Sequence, residues 1–304
     1  MYDIIIIGAG TAGLTAAIYG QRAGRHVLLL EEGIYGGQIV NTPEIENYPG
    51  IQKISGFQFA MNLYEQAMAL GARLETGRVL DIQEQDACKT VRTEDAVYDC
   101  GAVIIATGAK NRKLGLEKEE ALTGRGISYC AACDGAFYRD KTVAVVGGGN
   151  TALGDADFLA NACKQVYLIH RREEFRGDAS VVERLKNRKN ITFILNSVVT
   201  ELIAGERLEQ IQIENIRSQE IQNLSIDGLF VAIGQIPENH AFANLVELDS
   251  QGYVKAGEDC RTKVPGVFAA GDCRTKAVRQ LTTAASDGAV AALGACEYLS
   301  YITK

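Results

Sequence analysis

Two stretches of this chain share one pattern. "IIIIGAGTAG" (4–13) and "VAVVGGGNTA" (143–152) each run from a β-branched strand into Gly-x-Gly-x-x-Gly/Ala. A strand that ends in this tight turn must hand the chain to a helix lying back along the sheet, which forces a parallel crossover. No other feature limits the fold as strongly. The two stretches also finish alike: "VIIATGA" (103–109) and "LFVAIGQ" (229–235) are apolar strands that run into a glycine. Small-residue helices at 12–24 and 151–163 lead to short apolar strands at 27–30 and 166–169. That alternation predicts helices covering a parallel sheet in each half.

The 304 residues leave room for about two domains. The duplication therefore predicts an α/β chain of two Rossmann-like units with parallel central sheets, the second inserted into the first. "GVFAAGDC" (266–273) is a strand without a glycine-rich start of its own, so it is expected to return to the first unit. The expected boundaries give a discontinuous outer domain, 1–113 with 242–304, and an inner domain, 114–241.

In the first turn, Gly8 permits the tight bend, Gly10 admits a pyrophosphate close to the backbone, and Gly13 lets the helix approach the strand. Glu31 closes strand 27–30 at the offset, about 20 residues on, where a carboxylate can take both ribose hydroxyls. This acid disfavours a 2′-phosphate and leaves FAD or NAD(H). Further pieces favour FAD. "YGGQ" (35–38) offers bare backbone and one amide, Gly37 and Gln38, to a flat hydrogen-bonding ring. Asp272 stands at the C-terminal end of a strand, where ligands sit in open α/β sheets. The helix in "RQLTTAASDGAVAAL" (279–293) can direct its positive end at a reduced flavin. Each piece also has a plain structural reading, Gln38 as a surface turn and Asp272 as a strand-end cap.

In the second turn Gly147, Gly149 and Ala152 repeat the cradle, with Asn150 and Thr151 able to cap the helix. No acid follows strand 166–169. "HRREEFR" (170–176) puts His170, Arg171 and Arg172 there instead, and guanidinium groups match a 2′-phosphate in charge and geometry. NADPH is expected over NADH. The competing reading is a solvated basic turn neutralised by Glu173 and Glu174.

Between the two cradles lies "YCAACDGAFY" (129–138), with Cys130 and Cys133 at CxxC spacing and Asp134 directly after. The spacing suits a disulfide closed across one turn, and a helix start can lower a thiolate's pKa. Zinc would need a second ligand pair, yet the other six cysteines form no further CxxC and the three histidines are distant in sequence. No metal is expected. Two plain buried cysteines remain the other alternative. Asp134 is read as the group that handles the exchange proton, or else as a cap or turn residue. Eight cysteines are too few for a disulfide scaffold. The chain opens on a buried strand with no basic-then-apolar leader and holds no apolar run of about 18 residues, so a reducing cytoplasm and no membrane are expected. A net charge of −7 argues against nucleic acid as a partner.

The motifs together resemble the low-molecular-weight bacterial thioredoxin reductases, two-domain flavoenzymes of the pyridine nucleotide–disulfide oxidoreductase group. The resemblance spans the chain through "GAGTAG", "GGQ", "ENYPG", "ATG", "CAACDG", "GGGNTA", "HRREEFR", "GVFAAGD" and "RQ", in that order. It implies FAD, NADPH, thioredoxin as the disulfide partner, a homodimer, and rotation of one domain between two half-reactions. It also implies that Asn47, Thr107, Gly108, Arg279 and Gln280 join the FAD set, and that Thr151, Arg171, Arg172 and Arg176 hold NADPH. Cys133 would lie nearest the flavin, while the sulfur that attacks the partner is open between Cys130 and Cys133. The chain departs from the pattern at Ala136, Gly154 and Tyr48. The same chemistry toward a glutaredoxin-like or peroxiredoxin-linked protein, or with ferredoxin as donor, is the alternative.

Overall fold

A computed structural model describes residues 1–85 and 88–302; the last two residues of the expected 242–304 segment lie outside them. The chain divides into two compact units, residues 1–110 with 236–304, and residues 111–235. It crosses between them at 110/111 and 235/236, somewhat before the expected 113/114 and 241/242.

The outer unit starts with β1 (Tyr2–Ile7), α1 (Thr11–Arg22) and β2 (Val27–Glu31). Then follow α2 (Gly56–Ala69), β3 (Arg73–Thr76), β4 (Val79–Gln85), β5 (Cys88–Thr93) and β6 (Val97–Ile105). β1 pairs in parallel with β2 on one side and β6 on the other, and β3 extends the β2 edge. The run "IIII" is apolar throughout because both faces of β1 are covered. Ile4 and Ile6 join α1 in one core cluster, while Ile5 and Ile7 join Leu28, Leu30 and Val103 in the other. β4 and β5 form an antiparallel extension on β6 that the sequence reading did not single out.

The chain leaves through β7 (Ala109–Asn111) and enters the inner unit at α3 (Glu119–Leu122), β8 (Ile127–Ser128) and the one-turn α4 (Ala131–Asp134). Then come β9 (Thr142–Val146), α5 (Asn150–Leu159), β10 (Gln165–His170), α6 (Ala179–Lys186) and β11 (Ile191–Leu195). An antiparallel meander follows, β12 (Ser197–Ala204), β13 (Leu208–Asn215) and β14 (Ile221–Ser225), and β15 (Gly228–Val231) returns to the main sheet. That sheet runs β11-β10-β9-β15-β8, all parallel.

β16 (Gln235–Pro237) leads back, β17 (Val267–Ala269) docks on β6 as the sequence required, and α7 (Leu281–Ile302) packs on α1. The strand order reverses at β1 in the outer sheet and at β9 in the inner one. Crevices of open α/β sheets form where the order reverses, and each glycine turn sits there. Among the described residues no helix is long and apolar enough to cross a membrane.

Candidate functional site

The first cradle is built from close backbone packing. Gly8 turns at φ +102°, donates its N–H to Leu30 O at 2.8 Å, and a Cβ on it would strike the Ala106 carbonyl. A Cβ on Gly13 would run into the Gly8 carbonyl, so α1 can lie this close only with glycine there. Gly10 differs: a Cβ would meet nothing nearer than the Gly36 carbonyl at 4.0 Å. Among the described residues no atom blocks a side chain at 10, and the start of α1 carries no side-chain cap. Bare backbone and uncapped N–H groups are what a pyrophosphate needs.

The remaining residues of the expected first set lie in the outer unit. Glu31 Oε2 accepts the Ala9 N–H at 2.7 Å and Oε1 the Gly33 N–H at 3.0 Å. A carboxylate has about four lone-pair positions, so two stay available for hydroxyls. An ideal Cβ on Gly37 would sit 3.5 Å from the Gly10 Cα, and Gln38 Nε2 donates to the Ala109 carbonyl. Asn47 Nδ2 donates to Gln280 Oε1 at 3.3 Å. Arg279 donates to the Asp272 carbonyl at 3.3 Å and lies over the Tyr253 ring. Asp272 falls in a short turn after β17, and its buried Oδ1 has no hydrogen-bond partner among the described residues. Burial pushes this carboxyl above its ordinary range, against the pull of Lys276 and Arg279. An orphaned buried acceptor at the end of β17 fits a polyhydroxyl chain such as that of FAD. Gly108 turns at φ +69° with open space around it, and Thr107 Oγ1 donates to Asn239 Oδ1 at 2.9 Å.

Two supporting groups escaped the sequence reading. Asn239, fully buried, also donates to the carbonyls of Gly252 and Cys273 at 2.9 and 2.8 Å. Asp287 on α7 accepts from Gly271 N, Arg274 and Lys276 at 2.8–2.9 Å, which holds the turn that carries Asp272. Burial works to raise the Asp287 carboxyl but is outweighed by these bonds, and it lies below the ordinary range.

The second cradle repeats the first within the inner unit. Gly149 has nothing within 4 Å of an added Cβ, and α5 starts without a side-chain cap. The expected cap is not formed: Asn150 Oδ1 accepts the Asp178 N–H at 2.7 Å, and Thr151 is exposed. His170 is buried, and its ring bars any Cβ on Gly148, stacks on Phe175 at 5.1 Å and places Nε2 at 3.2 Å from the Glu174 carbonyl. Burial first, and then the nearby Arg176, Arg171 and Arg172 charges, lower its pKa. The arginines themselves are exposed and, among the described residues, have no acidic partner. Glu173 pairs with Arg217 at 2.8 Å, so the neutralised-turn reading does not hold for that acid. His170 thus acts as a wall of the cradle, with the free guanidinium groups beside it.

Cys130 and Cys133 form a disulfide across one turn, Cα to Cα 5.3 Å, both half-buried. Cys130 caps α4, its Sγ accepting the Cys133 N–H at 3.2 Å, so the capping role belongs to Cys130 and not to Asp134. Asp134 ends α4 with Oδ2 2.6 Å from Ser128 Oγ; burial raises its pKa and the Ser128 bond opposes this. Next door, the buried Glu119 carboxylate accepts the Tyr129 hydroxyl at 2.8 Å and the N–H groups of Leu114, Gly115 and Leu116 at 2.8, 2.8 and 3.3 Å. Burial lifts the thiols of Cys100 and Cys260 to about 12 and those of Cys163 and Cys273 to about 11, which makes them inert packing groups. No cluster of metal-binding side chains occurs among the described residues.

Two dinucleotide cradles and a CxxC disulfide on one chain define a flavin- and nicotinamide-linked disulfide oxidoreductase. A family model described as pyridine nucleotide-disulphide oxidoreductase matches residues 2–288, and the chain belongs to that family. It is 40% identical over 305 residues to a thioredoxin reductase of Listeria monocytogenes, covering 100% of this chain and 96% of that one. The structure of thioredoxin reductase from Streptococcus pyogenes superposes with a TM-score of 0.95, at 42% identity and 99% coverage of both chains. Lactococcus lactis thioredoxin reductase in an FR conformation is 38% identical and covers 99% of this chain and 100% of its own, with a TM-score of 0.68.

Proposed function

We propose that the chain is an NADPH-dependent thioredoxin reductase, with FAD held by the outer unit and NADPH by the inner one. The observation that carries this is the Cys130–Cys133 disulfide with its half-buried carboxyl neighbour in the unit that bears the second cradle. The chemistry FAD supplies when bound is the passage of two electrons between a nicotinamide and a disulfide. Gly8, Gly10 and Gly13 would take its pyrophosphate, Glu31 its ribose, and Asp272 the chain leading to its ring. Gly149 and the start of α5 would take the pyrophosphate of NADPH, with Arg171, Arg172 and Arg176 around its 2′-phosphate.

Reduction of the Cys130–Cys133 bond consumes two electrons and two protons and yields two thiols. One sulfur, as thiolate, then attacks the partner's disulfide; the partner's S–S bond breaks and its leaving sulfur takes a proton. The second cysteine attacks the mixed disulfide, which releases the partner as a dithiol and re-forms Cys130–Cys133. Asp134 is the carboxyl placed to give and take the exchange proton.

Both transfers need contact distances of roughly 3–3.5 Å, and both devices are attached to one unit. They take turns by rotation of that unit, which accords with relatives of similar identity superposing so differently. The unpaired guanidinium groups beside the second cradle disfavour ferredoxin as the donor. A cytoplasmic homodimer belongs to the same proposal. The test is NADPH oxidation by the purified protein with thioredoxins of the same cell. Turnover should require thioredoxin and vanish in Cys130→Ser; thioredoxin-independent oxidation of equal rate would reject the reading.

A further inference from the structure

Ser128 ends β8, in register with Phe230 of β15, and is 3% exposed. Its hydroxyl meets three groups. Oγ lies 2.6 Å from Asp134 Oδ2 and 3.3 Å from the Cys130 carbonyl oxygen, and it accepts the Cys130 N–H at 3.1 Å. A hydroxyl has one hydrogen and two lone pairs, so it cannot donate to both oxygens at once. Two complete arrangements follow. With Asp134 ionised, the hydroxyl hydrogen points to Oδ2. With Asp134 protonated, the carboxyl donates to Oγ and the hydroxyl hydrogen turns to the Cys130 carbonyl. The Cys130 N–H stays bonded in both, and the Cys130 carbonyl keeps the Asp134 N–H at 3.1 Å in both, so neither arrangement strands any of these polar groups.

We propose that Ser128 is a positioning residue for thiol–disulfide exchange, a rotor whose hydroxyl turns between Asp134 and the Cys130 carbonyl as Asp134 loses and regains its proton. This rests on the proton-transfer role given to Asp134 above. In the step itself one proton passes from the Asp134 carboxyl to the leaving sulfur. The Ser128 O–H bond never breaks, and no electron passes through it. The carboxylate that results is met at once by the rotated hydroxyl, so charge appears in a half-buried loop without stranding an acceptor.

Among the described residues, titratable groups stand on the turn after α4 and on α5, the elements packed against it. Tyr138 follows it, its phenol raised by burial first and then by the Asp134 charge. On α5, Asp155 is raised to about 6 by burial, and Asp157 is engaged by Arg184 and Arg188 at 2.9 and 2.7 Å. Among the described residues, the hydrogen bond that opposes the effect of burial on the Asp134 carboxylate comes from Ser128.

The test uses the flavoprotein reduced to its dithiol and reoxidised by a dialkyl disulfide, whose leaving sulfur must take a proton, with the exchange rate followed against pH. Wild-type protein should show an ionisation that is absent from Asp134→Asn. Ser128→Ala removes the bond that favours the charged carboxyl, so that ionisation should move upward by about one pH unit, the size one charge-assisted bond supports. Ser128→Thr, which restores a hydroxyl on a β-branched side chain suited to a strand, should return it to the wild-type position. A Ser128→Ala profile that superimposes on wild type overturns the inference while leaving the acid role of Asp134 standing. So does a Ser128→Thr profile that stays with Ser128→Ala. An Asp134→Asn profile that keeps the wild-type ionisation overturns the acid role, and the rotor with it. Should Ser128→Ala lose its flavin, the infrared carboxyl band of wild-type protein, assigned by Asp134→Asn, decides: a hydrogen-bonded frequency is expected, and a free-carboxyl frequency overturns the rotor.

Discussion

Gly10 and Gly13 belong to one motif, yet the structure needs them for different reasons. Gly13 is glycine because a methyl group would enter the Gly8 carbonyl, whereas Gly10 faces open space. Gly13→Ala should therefore destabilise the fold by about 1–3 kcal/mol in denaturant unfolding, the usual range for overpacking. Gly10→Ala should cost only about 0.5–1 kcal/mol, as an alanine at a helix start does, while flavin retained through purification falls sharply. Equal thermal losses in both would reject the distinction. The free guanidinium groups allow a similar split. Arg171→Ala with Arg172→Ala should raise the KM for NADPH by on the order of 10–100-fold and leave that for NADH nearly unchanged. Glycine, arginine and paired-cysteine signals were legible because each is a local spacing. Ser128, Asn239 and Asp287 were not, since a buried polar residue is explained only by partners the fold brings to it. Thr107 and Asn239 meet across 132 positions.

Among elements, the strand–turn–helix units were legible because periodicity and glycine spacing agree on them. The antiparallel β4–β5 and β12–β14 segments were not, being half-exposed strands whose alternation is shared with many loops. Helix ends moved too: α7 runs to Ile302, beyond the expected 293, because its apolar face continues along the outer sheet to Leu299. That helix also fixes the Asp272 turn through Asp287, one carboxylate shared by Arg274 and Lys276, all nearly inaccessible. Asp287→Asn leaves two buried cations short of their counter-charge and should cost about 3–5 kcal/mol by thermal or denaturant unfolding. Its folded pKa is lowered, so its contribution is present above the ordinary carboxylate pKa and lost as pH falls through the lowered value. Asp155 on α5 has the opposite sign. Burial raises it from 3.8 to about 6, so its contribution is present below the unfolded value and lost as pH rises through about 6. Asp155→Asn should stabilise the protein by about 1 kcal/mol at pH 8, with the shift discounted for partial exposure, and by nothing at about pH 2, well below the unfolded value. A gain that does not depend on pH would reject burial as the cause.

On the scale of the whole molecule, one fold is used twice and the copies differ in what they carry past the cradle. The outer copy receives β17, Asp272 and α7 from the returning chain, whereas the inner copy has α4 and its disulfide inserted ahead of its cradle. The inner unit's own ends are held side by side, Arg112 N–H donating to Gly234 O at 3.0 Å and Gln235 Nε2 to Asn111 Oδ1 at 2.9 Å. A unit joined to the rest through two adjacent strands can turn as a body with little change inside it. This separation matters because a nicotinamide and a disulfide cannot both occupy contact distance on one ring face. If alternation of the inner unit carries the cycle, a crosslink that locks the two units should abolish steady NADPH-to-thioredoxin turnover. It should spare one half-reaction, either bleaching of the flavin by NADPH or exchange between the flavin and the dithiol, according to the pose trapped. Cleaving the crosslink should restore the rate, which separates locking from damage. Full turnover in the locked protein would mean that both devices reach the flavin from one arrangement, and the division of labour between the units would need another explanation.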